Sequence, residues 1–334
     1  RAPRRVGGAS ALAVLVGHGA VLFLQGSALD GLGIESMAVL LFFLLSGFLI
    51  SYSVFHRHAD ENYRFRDYFI DRFCRIYCAF IPALFFVLLV DMSALDLLAA
   101  ISPEAVAHMP DPIRLMPGSL TPQTWFGNLF MLQDHSLFTG LWFRRLGSGP
   151  PFWTVGIEWW LYMTFGMFAY FLCRAGARLR LWQWAALGFV ALQPFHHLTG
   201  LTQLWGLGMV ACFAFLRLPV WLEPHAFFRD RDRWRTLTLI AFVISCFCVL
   251  GRLDRIKQET GIWMLAELHV GIYLGCAVFS LLLVIGSCEE VGRGLKKAMT
   301  FLADISYSLY LTHATVIIWL FLRFPGHERD PAFF

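Results

Sequence analysis

Apolar residues in this chain come in long blocks that carry scarcely a charge. No Asp, Glu, Lys or Arg occurs from Val6 to Leu29 or from Ser36 to His56. Ile76–Val90, Thr236–Gly251 and Leu268–Cys288 are likewise uncharged. Leu181–Leu216 is uncharged too, but Pro194, His196, His197 and Gly200 divide it into two shorter stretches. Gly147–Cys173 and Ala298–Leu322 each contain one acid, Glu158 and Asp304. A helix needs about 20 apolar residues to cross a hydrocarbon core of about 30 Å. The blocks therefore predict an all-α, polytopic membrane bundle with about nine spans. A membrane β-barrel would instead show alternating segments of about 10 residues.

Composition agrees with the pattern. The 334 residues are 58% hydrophobic and only 15% charged, which excludes disorder and leaves too little polar surface to cover a water-soluble domain. The net charge of +4 does not point to nucleic acid, because the basic residues follow the connections between blocks. With Arg1, Arg4 and Arg5 in the cytoplasm, alternate connections place Arg57, Arg64 and Arg66 inside. The same holds for Arg174, Arg178, Arg180 and the group Arg229, Arg231, Arg233 and Arg235. This bias predicts a cytoplasmic N-terminus. The eight cysteines have no paired spacing and read as inert thiols on apolar helices.

The chain reads as a single domain over residues 1–334, with one long connection. Residues 91–151 form an expected outward-facing loop rich in Pro and Gly. Within it, Thr124–Leu132 is too short to span and predicts an interfacial or re-entrant helix capped by Thr124.

Ionisable side chains at membrane depth are costly and mark functional candidates. His18, Glu158 and His313 lie inside apolar blocks. Helical rise places them roughly 15, 21 and 18 Å from the cytoplasmic face, a shared depth. A histidine with a carboxylate can act as a general base, the imidazole taking the proton and the carboxylate steadying the imidazolium. Depth alone equally allows three separate packing residues. Glu35, Glu267 and Asp304 lie near block ends and read as interfacial or helix-terminal acids. His56, His58 and Asp60 have metal-like spacing but sit in a charged loop, so no metal site is expected.

Five segments occur in order: ALAVLVGH ending at His18, FFLLSGFLIS at Phe42–Ser51, RFCRIY at Arg72–Tyr77, WTVGIEWWLY at Trp153–Tyr162, and ISYSLYLTH at Ile305–His313. In this order they resemble the acyltransferase family 3 membrane proteins over nearly the whole chain. The resemblance implies a ten-helix domain of the bacterial inner membrane. It implies transfer of an acyl group, mostly acetyl, from cytoplasmic acyl-CoA to a sugar hydroxyl. The acceptor would be a glycan or lipid-linked sugar, with acetyl-CoA as co-substrate and no metal. The essential first-span histidine maps to His18, and the acid of the Trp-Thr motif to Glu158. Arg72 and Arg75 map to the donor-binding arginines, and Ser46 and Gly47 to the Ser-Gly motif. Tyr307, Tyr310 and His313 map to the last motif, and Trp153 opens the fourth.

Physical reading adds to this. Arg72 and Arg75, three apart, project on one helix face, where guanidinium groups suit phosphates. Gly47 lets a helix or a ligand approach closely. Tyr307, Tyr310 and His313 are i,i+3 neighbours that either line a polar path or simply pack.

Two departures stand out. Gly7 occupies the place where the family has Arg, eleven residues before the histidine, and the closing helix is missing. The second, with Arg1 at the start, leads us to expect a trimmed copy. Gly7 supports a rival reading as a non-catalytic or sensing member of the same fold. A transporter is the other rival, but it predicts repeats with matching broken helices, which the sequence lacks. His225 and Asp230 match the spacing of a lipid acyltransferase motif without its companions.

Overall fold

The computed structural model describes residues 34–57, 63–133, 143–172, 179–196, 200–222 and 293–324, with scattered positions between 236 and 276. Every regular element among them is helical. In chain order these are α1 (Ile34–Arg57), α2 (Phe65–Ala99), α3 (Pro103–Ala107), α4 (Asp111–Arg114), α5 (Met116–Ser119) and α6 (Pro122–Leu129). They are followed by α7 (Phe152–Met167), which runs on as a π-helical turn over Phe168–Leu172, then α8 (Leu181–His196), α9 (Gly200–Leu222) and α10 (Arg293–Arg323). Val39–Arg57 and Phe65–Ala99 are long and apolar enough to cross a membrane, with mean hydropathy 2.0 and 2.3. Of the residues expected to divide Leu181–Leu216, Pro194 and His196 lie within α8, which ends at His196, and Gly200 opens α9.

The described helices divide into two compact units. The first holds α1 from Ser36 onward and α9. Its packing rests on two glycines. A side chain at Gly47 would run into the Trp205 carbonyl of α9, and one at Gly208 would run into the Leu44 carbonyl of α1. Each helix thus supplies a glycine where the other's backbone comes close, the small-residue packing expected of apolar helices. Phe48 and Phe215 meet edge to face beside it, ring centroids 5.7 Å apart.

The second unit holds α2 to α8 and α10 from Ile305 onward. The backbone amide of Arg64 donates to Asp67 at 2.9 Å and fixes the start of α2. At roughly 50 Å, α2 is far longer than the hydrocarbon core. It continues through Ala99, past the Val90 boundary where the uncharged run ends, so 91–99 are helix and not loop. Phe80 of α2 and Phe152 of α7 meet at 5.1 Å in the core. A side chain at Gly166 of α7 would run into the Tyr68 ring. The Thr164 hydroxyl of α7 donates to the Val190 carbonyl of α8 at 3.0 Å.

Residues 101–133 and 143–151 fold back onto the helix ends. Ile113 and Met116 are buried with Ala94 and Leu98 of α2 and Ile317, Ile318 and Leu322 of α10. Asn128, fully buried, donates to the carbonyls of Thr124 and Arg144, each at 2.8 Å, and accepts from the Leu146 amide. The short helix expected here exists, but its cap is Thr121 and not Thr124. Pro122 takes the first helical position, where a missing N–H costs nothing, so the hydroxyl preceding it becomes the cap.

Candidate functional site

The fourth motif lies on α7, which begins at Phe152 after the Pro150–Pro151 pair. Thr154, Glu158 and Tyr162 are spaced by four residues, so they line up along one face of the helix, and all three are buried. Tyr162 donates its hydroxyl proton to the Glu158 carboxylate one turn away. Trp153, at the start of the motif, is half-buried. Its neighbour in the motif, Trp159, packs edge to face on Tyr77 and Phe73 of α2, at 5.2 and 6.3 Å.

The last motif comes to this face from α10. The Tyr310 and Thr154 hydroxyls are 2.6 Å apart. Thr154 has one proton, which it gives to the Pro151 carbonyl at 2.7 Å, so Tyr310 is the donor to Thr154. His313, buried, directs Nδ1 at the Tyr310 carbonyl (2.7 Å) and the Leu309 carbonyl (3.2 Å). Both partners are acceptors, so Nδ1 carries a proton. Its ring centroid is 5.9 Å from that of Tyr310. Tyr307 lies within electrostatic range of Glu158, Tyr162, Tyr310 and Arg75. Its hydroxyl oxygen is buried and has no hydrogen-bond partner among the described residues.

The third motif contributes from α2, and its two arginines behave differently. The Arg72 guanidinium lies over the Tyr68 ring, 5.7 Å from the centroid, with Nε buried and without a hydrogen-bond partner among the described residues. Arg75 is exposed. Tyr68, fully buried, donates to the Tyr162 carbonyl at 2.8 Å and so joins the arginine-bearing turn to the Glu158-bearing helix.

The structure thus gathers Arg72, Arg75, Glu158, Tyr307, Tyr310 and His313 within one unit. Ser46 is buried and Gly47 is packed on α9 in the other unit. His18, the expected base, lies outside the described residues, as do Gly7, Glu267, His58, Asp60, His225, Asp230 and the Arg229–Arg235 group. Among the described residues no cluster of His, Cys, Asp and Glu could hold a metal ion.

Three residues were not singled out from sequence. Tyr162 and Thr154 could have been found from their spacing of four around Glu158. Asp91 could not. It is buried at the end of the uncharged run, where its carboxylate accepts from the Ser148 amide at 2.6 Å and the Ser148 hydroxyl at 2.5 Å. The Ser148 carbonyl accepts from Thr315 of α10 at 3.0 Å. This polar clamp ties α2, the approach to α7, and α10 together beside the site.

Residues 8–334 match the model of the acyltransferase domain family. The chain belongs to that family, and its general chemistry is acyl transfer. Comparison with curated proteins and with solved structures finds no match.

Proposed function

We propose that this protein is an integral membrane enzyme that moves an acyl group, acetyl in type, from cytoplasmic acyl-CoA to a hydroxyl of a glycan or lipid-linked sugar. The observation that carries this reading is the buried Glu158 carboxylate, held by Tyr162 inside a hydroxyl-rich face between α7 and α10. A carboxylate at such depth is expensive unless it does something there. Family membership supplies the reaction class.

In the proposed reaction His18 takes the proton of the acceptor hydroxyl as that oxygen attacks the thioester carbonyl. Glu158 steadies the imidazolium that results. No covalent acyl-enzyme is needed. Arg72 and Arg75 hold the phosphates of the donor, for which guanidinium groups have the right charge and shape. Ser46 and Gly47 enter the donor site on the resemblance alone. Trp153, Tyr310 and His313 support the acceptor side. The donor comes from the cytoplasm and the acceptor from the outer face past residues 91–151, in a bundle of nine or more spans with its N-terminus inside.

The test is release of CoA from acetyl-CoA by purified protein in lipid, with and without a polysaccharide acceptor. The reading expects turnover by the native chain and none after His18→Ala. CoA binding without turnover by the native chain would favour the non-catalytic reading instead.

A further inference from the structure

Three tyrosine hydroxyls surround Glu158, and two of them are committed. Tyr162 donates its hydrogen bond to Glu158, and Tyr310 donates its hydrogen bond to Thr154. The third, Tyr307, has its hydroxyl oxygen buried with no hydrogen-bond partner among the described residues, although Glu158 and Tyr162 are within electrostatic range. A buried hydroxyl left unpaired is costly to stability. Such a group needs an explanation, and one is an acceptor that arrives only with the substrate.

Resting on the acyl-transfer reading, we propose that the Tyr307 hydroxyl is the oxyanion donor of the reaction. The acceptor oxygen bonds to the thioester carbonyl carbon while the base removes its proton. The π pair of the carbonyl moves onto the carbonyl oxygen, which becomes an oxyanion and takes the Tyr307 hydrogen bond. When the tetrahedral species collapses, the C=O bond reforms and the C–S bond breaks. CoA then leaves as a thiolate and takes the proton back from the imidazolium. The chemistry selects Tyr307 over its neighbours because a donor already spent in the resting protein has no proton to offer, whereas Tyr307 needs no prior bond broken. A preorganised donor of this kind acts on charge that exists only in the transition state.

The experiment compares the native protein with Tyr307→Phe in steady-state transfer from acetyl-CoA, alongside thermal unfolding of both. The expected result is a kcat lower by about 100-fold or more, with KM for acetyl-CoA little changed. The Tm should be unchanged or higher, because Phe removes an unpaired hydroxyl and keeps the ring. Native kcat in Tyr307→Phe, while His18→Ala is inactive, would overturn the oxyanion role and leave the acyl-transfer reading standing. A fall in Tm with kcat and KM unchanged would also overturn it, as the mark of a structural hydroxyl. Absence of transfer by the native protein would overturn both.

Discussion

The hydroxyls of Thr154 on α7 and Tyr310 on α10 are joined by a 2.6 Å hydrogen bond across 156 positions of sequence. It runs in one direction, from Tyr310 to Thr154 to the Pro151 carbonyl. The two partners should therefore respond unequally to removal. Tyr310→Phe deletes one hydrogen bond and leaves Thr154 satisfied, for a loss of about 1 kcal/mol. Thr154→Val leaves the Tyr310 hydroxyl buried without its acceptor, for a loss of about 1–3 kcal/mol. A double-mutant cycle on unfolding in detergent should find coupling between them; additive effects would show that the bond contributes nothing.

The Asp91–Ser148 clamp should be sensitive at its glycine. Gly147 has φ +50, and a side chain there would run into the Asp91 carboxylate. Gly147→Ala combines backbone strain with that clash, and we expect a loss of at least about 2 kcal/mol. Asp91→Ala should cost a similar amount by leaving the Ser148 amide and hydroxyl without their acceptor. Thermal unfolding of each variant checks this, and native stability in Gly147→Ala would show that the turn tolerates another geometry.

The glycine contacts between α1 and α9 make a sharper comparison. Gly47→Ala and Gly208→Ala each place a methyl on a facing backbone, which cannot swing aside. We expect both to lower stability by about 2 kcal/mol or more. Gly188→Ala and Gly206→Ala meet nothing within 4 Å, so they should be neutral or gain up to about 1 kcal/mol from helix propensity. Equal effects at all four positions would contradict the packing argument.

The arginines of α2 should register in the KM for the donor. If they hold donor phosphates, Arg72→Ala and Arg75→Ala should raise KM for acetyl-CoA about tenfold or more, corresponding to loss of about 1.4 kcal/mol of binding. Arg72→Lys should recover little, since a lysine cannot reproduce the planar group lying on Tyr68. Unchanged KM in all three variants would remove these residues from the donor site.

Much of the helical framework was legible from the apolar runs. The division into α8 and α9, the α1 run and the short helix after Thr121 all have local causes, so the sequence exposes them. The misjudged boundaries have non-local or crowded causes. The uncharged run ends at Asp91, which reads as a loop residue. Its carboxylate is instead satisfied by the Ser148 amide and hydroxyl, 57 residues later, and the helix runs on. Two threonines flank the start of the short helix, and Pro122 decides between them. At the site, Glu158 stood out because a carboxylate in an apolar helix is rare. The Tyr310–Thr154 and Tyr68–Tyr162 links depend on which helices touch, and periodicity carries no information about that.

The most direct test of the central claim is the transfer rate of Glu158→Gln. Gln keeps the size of the side chain and can still accept the Tyr162 hydrogen bond, but it cannot steady a charged imidazolium. We expect kcat reduced by about 100-fold or more, with thermal stability and acetyl-CoA binding close to native. A native transfer rate in that variant would contradict the placement of the reaction at Glu158.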